Sequence, residues 1–395
     1  MSAILVINSG SSSFKYQLIE MDTEAVLASG LVERIGDSMG GARHTTAAGT
    51  IARELEIPDH TAGFAAMLEA FAANGPYLVS AAAPIAVGHR VVHGGKRFFE
   101  PTVVTDLVKI NIQDLADLAP LHNPANLQGI EAAQKAFPNV PHVVVFDTAF
   151  HQTLPAAAYL YAIDAELAEQ HRVRRYGFHG TSHKFVSEAA ATFLGTTLAE
   201  TNTIVLHLGN GASACAVEGG RSVDTSMGMT PLEGLVMGTR SGDIDPAVLF
   251  HLHRKTGMDL DQLDELLNRR SGLLGLAGHG DMRDVILAAG RGDDAAITAL
   301  EVYTHRLKSY VGAYYAQLGR LDAIVFTAGV GENTALIRAQ ALAGLEGLGI
   351  EIDESRNASA DRGARRISTD SSRVAVLVIP TNEELEIARQ TLSVL

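Results

Sequence analysis

The sequence predicts an α/β protein built from two domains, and three observations carry that prediction. At 395 residues the chain exceeds what one hydrophobic core of ordinary size holds. Short apolar, β-branched runs bounded by small polar turns alternate with segments whose apolar residues recur at helical spacing. The strand–turn unit at the N-terminus also returns in the second half. Aligning Ile4 with Ile204 places Asn210 on Gly10 and Ser213 on Ser13, which suggests a duplicated domain whose polar turns face a shared ligand.

Composition narrows the class. A hydrophobic fraction of 47% with 38 glycines fits a compact α/β chain with many turns. Charged residues at 19%, without a low-complexity tract, argue against disorder. The net charge of −14, with no long Lys/Arg cluster, argues against a nucleic-acid partner. It also means that a few local cations must meet any anionic substrate. The single cysteine, Cys215, excludes an internal disulfide framework and a cysteine-rich metal site. Within Ala-Ser-Ala-Cys-Ala-Val it is expected as a small buried strand residue. No apolar stretch approaches the roughly 18 residues of a membrane span. The N-terminus lacks a basic region and its apolar run breaks at Asn8, so no signal peptide is expected. The expectation is a soluble cytoplasmic protein.

Taken in order, Ala3-Ile4-Leu5-Val6-Ile7 reads as a buried strand, and Asn8-Ser-Gly-Ser-Ser-Ser-Phe-Lys15 as a tight turn. Phe14, Tyr16 and Leu18 then alternate with polar residues as a returning strand. Backbone N–H groups and hydroxyls in such a turn cradle anionic oxygens, although an ordinary hairpin has the same composition. Asn8 offers a neutral oxygen of the kind that suits hydrated Mg²⁺, and Lys15 a cation. Residues 61–74 read as a helix with Phe64, Met67, Leu68 and Phe71 on one face. His89 and His93 have the spacing of a helical zinc motif, but no Glu follows His89 and the Val-Val pair before two glycines favours a strand. Gly94-Gly95-Lys96-Arg97 lacks the upstream Gly and the following Ser/Thr of a P-loop. What remains is a strand carrying Arg90 to its end.

Leu121-His122-Asn123-Pro124 opens a helix with Asn123 as its expected N-cap. Val143 to Phe146 is a short buried strand ending in Asp147, a position that suits a ligand and a turn equally. Gly177-Phe178-His179-Gly180 precedes a helix over roughly 183–194, which Ser182 is expected to cap. His179 lies in the tight turn and is the functional candidate, while His183 is read as structural. Ile204 to Leu208 is a buried strand, followed by the turn Gly209 to Ser213. A long polar, Gly-rich run from Asp224 to Pro246 carries Arg240. Helices are expected near 246–256, 259–268 and 294–318, the last with a Tyr-rich stripe read as core. Gly278 to Arg283 and Ala328 to Asn333 are glycine turns before helices. Thr381 or Asn382 caps the last helix, which leaves Glu383 either a dipole partner or a metal ligand.

Together, Asn8 to Lys15, Gly88-His-Arg-Val-Val-His-Gly94, Phe146-Asp-Thr-Ala-Phe-His151, Gly177-Phe-His-Gly-Thr-Ser-His183, His207-Leu-Gly-Asn-Gly211, Asp224-Thr-Ser-Met-Gly-Met-Thr-Pro231 and Thr381-Asn-Glu-Glu384 resemble the acetate kinase family. The resemblance spans nearly the whole chain in the family's order, and no motif position departs from it. It implies two duplicated actin-like ATPase (ribonuclease H-like) domains, each a mixed sheet flanked by helices, with an interdomain cleft. Residues 1–150, with the C-terminal helix at about 382–395 packed back on them, would form one domain, and residues 151–381 the nucleotide-binding one. It implies a homodimer that transfers phosphoryl reversibly between ATP and acetate, giving acetyl phosphate and ADP, with Mg²⁺ or else Mn²⁺. By this resemblance the nucleotide would meet Lys15, His207, Leu208, Gly209, Asn210, Gly211, Asp281, Met282, Arg283, Gly329, Val330, Gly331, Glu332 and Asn333. Arg90 would bind substrate, and Val92, Leu121, Phe178 and Pro231 would form the pocket for its methyl group. Asn8 and Glu383 would hold the metal, and Asp147, His179 and Arg240 would be catalytic.

Phosphoryl transfer is mainly positioning and neutralisation of charge on equatorial oxygens, and arginines also grip carboxylates. Acetate is ionised near neutral pH, so Asp147 is cast as orienting a cation rather than taking a proton. A propionate kinase is the nearest alternative, and Val92 narrows the pocket toward acetate. An ATP-driven switch is a third reading, in which the arginines and small apolar pocket have no purpose.

Overall fold

The structure, a computed structural model, describes residues 2–76, 83–120 and 122–395. The chain forms two compact units, Met1–Phe150 with Asn382–Leu395, and His151–Thr381.

The first unit carries β1 (Ala3–Ser9), β2 (Ser13–Glu20), β3 (Ala25–Glu33), β4 (Gly40–Thr46), β5 (Gly49–Leu55), β6 (Pro84–Val91), β7 (Thr102–Val103) and β8 (His142–Phe146). They order as β5-β4-β3-β2-β1-β6-β8-β7. β1 to β5 pair antiparallel, while β1, β6 and β8 run parallel. The continuous apolar run of β1 follows from its central place: Ala3 to Ile7 are buried, as a strand covered on both faces requires. Leu5, Ile7, Phe14, Tyr16 and Leu18 join Phe64, Met67 and Phe71 of the helix His60–Asn74 in one core. The C-terminal helix Glu383–Leu392 packs on β6 at Gly88, where a Cβ would sit 2.4 Å from Thr391 Oγ1. Glycine is needed there for the close approach.

β3 to β5 were not legible as strands. β5 is mostly exposed, so its sequence lacks the apolar alternation that marks a covered strand. Asn123 is also not the cap expected of it: His122 stands at the N-cap of Asn123–Ala136. The Asn123 amide instead accepts the His93 N–H at 3.1 Å and donates to His93 O at 3.0 Å. It ties the helix start to the end of β6, and that link outweighs a cap.

The second unit carries β9 (Asn202–Leu208), β10 (Ala212–Glu218), β11 (Arg221–Thr225), β12 (Ala323–Thr327), β13 (Arg365–Arg366) and β14 (Ala375–Val378). Their order, β11-β10-β9-β12-β14-β13, repeats the first unit's plan. β9 pairs antiparallel with β10, and β9, β12 and β14 run parallel. The fold class is therefore the expected one, α/β with two duplicated mixed sheets flanked by helices. The helices Ala247–Thr256, Leu260–Arg269 and Asp294–Leu318 fall where periodicity places them. On the last, Tyr303 and Tyr314 are buried, and the Tyr310 hydroxyl donates to Asp243 Oδ2 at 2.7 Å, so the tyrosine stripe faces the core. Cys215 is buried in β10. No helix among the described residues is long and apolar enough to cross a membrane.

Candidate active site

In the first unit, β1, β6 and β8 deliver one polar cluster at their C-terminal ends, where open parallel sheets place ligands. Arg90 stands at the penultimate position of β6, opposite Val145 of β8. Asp147 follows β8, its N–H bound to Val91 O at 3.0 Å. Arg90 grips Asp147 with two bonds, Nε to Oδ1 at 2.9 Å and Nη2 to Oδ2 at 2.6 Å. Its Nη1 reaches Asn8 Oδ1 at 3.4 Å, and Glu383 Oε2 lies 3.9 Å from Nε. The Asp147 side chain is only 2% exposed, whereas Arg90 and Glu383 are each 22% exposed. Burial disfavours the Arg90 charge, but Asp147 and Glu383 outweigh it and hold the guanidinium above its ordinary range. Burial pushes the Asp147 carboxyl upward against the pull of Arg90.

Asn8 and Glu383 thus offer a neutral oxygen and a carboxylate around one guanidinium. That donor set fits Mg²⁺, which takes one or two protein oxygens and keeps water or phosphate for the rest. Among the described residues no cluster of three His, Cys, Asp or Glu side chains offers a fuller cage.

Three sequence-predicted residues of the second unit meet around Gly211. A Cβ there would lie 3.6 Å from Arg240 Nη1 and 3.7 Å from His179 Cε1 and Nε2. His179 is the N-cap of the helix Gly180–Leu194 and takes a left-handed φ of 55°, a conformation that costs a non-glycine residue energy and clusters at functional sites. Its ring stacks on His207 at 4.2 Å between centroids, and its Nδ1 meets Ser213 Oγ at 2.9 Å. Arg240 is half-buried and donates to Pro231 O at 3.1 Å. No carboxylate pairs with it among the described residues, and burial pulls its pKa below the ordinary value. Ser182 is not the cap expected of it: its Oγ meets His207 Nδ1 at 2.8 Å and Thr381 Oγ1 at 2.9 Å.

A cavity of about 590 Å³ opens beside this cluster within the second unit. Gly209, Asn210, Asp281, Met282, Arg283, Gly329, Val330 and Asn333 line it, as do Gly238, Leu273, Gly280, Tyr303, Thr334 and Arg362. The last six were not picked out from sequence. Gly238 and Gly280 stand in turns whose role only the close approach of chains reveals, and Arg362 is one of many surface arginines. Asp281 caps the helix Met282–Ala289, and the Arg283 N–H and guanidinium hold its carboxyl down at about 2. Glu332 Oε1 accepts the N–H of Ala328 at 2.8 Å and of Thr381 at 3.2 Å, bracing the strand–helix turn where Ala328 takes a φ of 62°. His207, Leu208, Gly211, Gly331 and Glu332 flank the lining residues in sequence without lining the cavity themselves. Lys15 is exposed on β2 in the first unit, in a separate cleft with Arg43 and Glu384. Val92 is in the first unit, its N–H on Asn126 Oδ1 at 3.1 Å. Phe178 and Pro231 are in the second, Phe178 buried. Leu121 lies outside the described residues.

The model of the acetokinase family matches residues 3–389. An acetate kinase of Clavibacter michiganensis is 71% identical over 393 residues, covering 100% of this chain and 99% of the relative. The crystal structure of Porphyromonas gingivalis acetate kinase matches with a TM-score of 0.95 and 42% identity, covering 100% of both chains. That of a propionate kinase from Francisella tularensis matches with a TM-score of 0.92 and 43% identity, covering 99% of both. By these full-length likenesses the chain belongs to the acetokinase family.

Proposed function

We propose that this protein is an ATP:acetate phosphotransferase, transferring the γ-phosphoryl group of ATP reversibly to acetate by direct in-line displacement. The observation that carries the reading is Arg240, which has no carboxylate partner among the described residues and stands with His179 beside Gly211. A half-buried guanidinium without a counter-ion suits the charge that gathers on a transferring phosphoryl group.

In the reaction an acetate oxygen forms a bond to the γ-phosphorus while the bond from phosphorus to the bridging oxygen of ADP breaks, giving acetyl phosphate. No proton moves, because the attacking carboxylate is already ionised. Arg90 is fixed by Asp147 through Nε and Nη2 and touches Asn8 Oδ1 through one Nη1 hydrogen at 3.4 Å, which leaves the other Nη1 hydrogen to hold the acetate carboxylate. Asp147 orients that cation and is not a base. Val92, Phe178, Pro231 and Leu121 would enclose the methyl group. The nucleotide would occupy the cavity of Gly209, Asn210, Asp281 to Arg283, Gly329, Val330 and Asn333. His207, Leu208, Gly211, Gly331 and Glu332, which do not line it, would brace the lining turns from behind. His179 and Arg240 would neutralise the transferring group. Asn8 and Glu383 would hold Mg²⁺, or Mn²⁺ in its place, which screens phosphate charge when bound. We further place the protein in the cytoplasm as a homodimer, for which Phe250 and Leu260, 62% and 83% exposed, supply apolar surface.

Purified protein with ATP, Mg²⁺ and hydroxylamine should give acyl hydroxamate with acetate and none with a sugar. Failure with every short carboxylate would overturn the reading. The likeness to a propionate kinase supports propionate as a second substrate, since one methylene is worth only about 1–3 kcal/mol. Val92→Ala should raise kcat/KM for propionate relative to acetate by up to roughly tenfold; an unchanged ratio would remove Val92 from the methyl pocket.

A further inference from the structure

The His179 ring does not stand alone. Its Nδ1 meets Ser213 Oγ at 2.9 Å, and the same oxygen meets His183 Nε2 at 2.8 Å. Ser213 and His183 are both fully buried. A hydroxyl has one proton and two acceptor lone pairs. If both rings donated to Ser213, its buried O–H would have no acceptor among the described residues, so it donates to one imidazole nitrogen and the other nitrogen donates to it. Two arrangements satisfy this. In one, His183 Nε2–H donates to Ser213, whose O–H donates to His179 Nδ1. In the other, every bond is reversed and His183 carries its proton on Nδ1. His183 Nδ1 is buried and has no hydrogen-bond partner among the described residues. A buried N–H without an acceptor is among the costliest of orphaned groups, whereas a bare ring lone pair costs less. The first arrangement is therefore the stable one.

We propose that His183, acting through Ser213, is a positioning residue that keeps His179 in the tautomer with its proton on Nε2. This deepens the phosphotransferase reading and rests on it: Nε2 is the nitrogen beside Gly211 and Arg240, so the relay presents an N–H rather than a lone pair to the transferring phosphoryl group. Protonation of His179 on Nδ1 would either leave the buried serine O–H without an acceptor or turn it toward His183 and strand an N–H on His183 Nδ1. The groups around the relay add to that resistance. His207 stacks on His179 and Arg240 stands beside it, while His151 and His207 both face His183 with ring centroids at 5.6 and 6.2 Å. Of these, Arg240 carries a positive charge and would repel a second one on His179, while His151, held neutral by burial, offers His183 no anion that would stabilise a charge.

The test combines spectra of the intact protein labelled with ¹⁵N-histidine and pH profiles of Ser213→Ala. In the wild type, the His179 ring, assigned by its loss in His179→Gln, should show a protonated Nε2 and an unprotonated Nδ1 from pH 6 to 8. Ser213→Ala frees Nδ1 to water, so its kcat with acetate should fall about tenfold at pH 8, the worth of one hydrogen bond. It should recover toward acid pH, where full protonation restores the Nε2 proton, with KM for acetate nearly unchanged. His183→Gln keeps an amide N–H near the Nε2 position and should retain the wild-type shape of the profile, whereas His183→Leu should acquire the acid-side rise. A purely structural role would lower activity without that new limb. A proton on His179 Nδ1 in the wild type, or a Ser213→Ala profile of wild-type shape, would overturn the inference. Wild-type protein inactive with acetate yet showing the Nε2 tautomer would sink the phosphotransferase reading and leave the relay standing.

Discussion

At the scale of single residues, the proposed chemistry rests on two arginines, one in each unit, in opposite electrostatic settings. Arg90 is pinned by a bidentate carboxylate, 2.6 and 2.9 Å away, and has its direction fixed before any ligand arrives. Arg240 is held by backbone and has no carboxylate among the described residues. The first setting suits a residue that must orient a substrate, and the second one that must neutralise charge appearing later. Arg240→Ala should lower kcat by about 10²- to 10³-fold, the usual cost of removing a transition-state donor, with an unchanged circular-dichroism spectrum. Turnover within twofold of wild type would refute its role. Sequence singled out Arg90, Asp147, His179 and Arg240 because each stands at or just past the end of an apolar strand or in a turn flanked by glycines. It did not show that Ser182 and Asn123 serve networks rather than caps, because their partners, Thr381, His207 and His93, are fixed only by tertiary folding.

At the scale of elements, the strand–turn–strand units proved the most legible parts, since the buried centres of β1 (Ala3 to Ile7) and β9 (Ile204 to Leu206) are continuously apolar. The exposed β5 left no such mark. The cavity depends on how closely its turns approach. A Cβ on Gly238 would lie 2.1 Å from Asn210 Oδ1 and 2.6 Å from Gly280 O. The latter is backbone and cannot swing aside. Gly238→Ala should therefore separate the turns that line the cavity and raise KM for ATP about tenfold or more, equivalent to roughly 1.4 kcal/mol of binding, with a smaller change for acetate. Equal effects on both substrates would show that the cavity is not the nucleotide site.

At the scale of the whole molecule, the chain buries several histidines as neutral groups. Burial drives the pKa of His89, His142 and His183 down, and that of His151 down to about 4. His89 Nε2 lies 2.9 Å from His142 Nδ1, and His142 Nε2 lies 3.1 Å from Phe137 O, so the pair is satisfied without a positive charge. In the unfolded chain each takes a proton near pH 6.5. Below that value the unfolded state binds more protons than the folded one, so stability is intact above about pH 6.5 and falls as pH drops toward 4. Each such histidine steepens the fall by up to about 1.4 kcal/mol per pH unit. Urea midpoints should decline from pH 7.5 to pH 5, and a constant midpoint would show that these histidines do not control acid stability. The division of the chain at Phe150, with Asn382–Leu395 returning to the first unit, has little sequence signal, because no linker of distinctive composition marks it.

The central claim, transfer of phosphoryl from ATP to acetate, is tested most directly by following ³¹P resonances in a mixture of protein, ATP, Mg²⁺ and acetate. Acetyl phosphate should appear in step with ADP, and adding excess ADP should drive it back to ATP. ADP accompanied only by inorganic phosphate, with no acetyl phosphate at any time, would mark an ATPase and contradict the account.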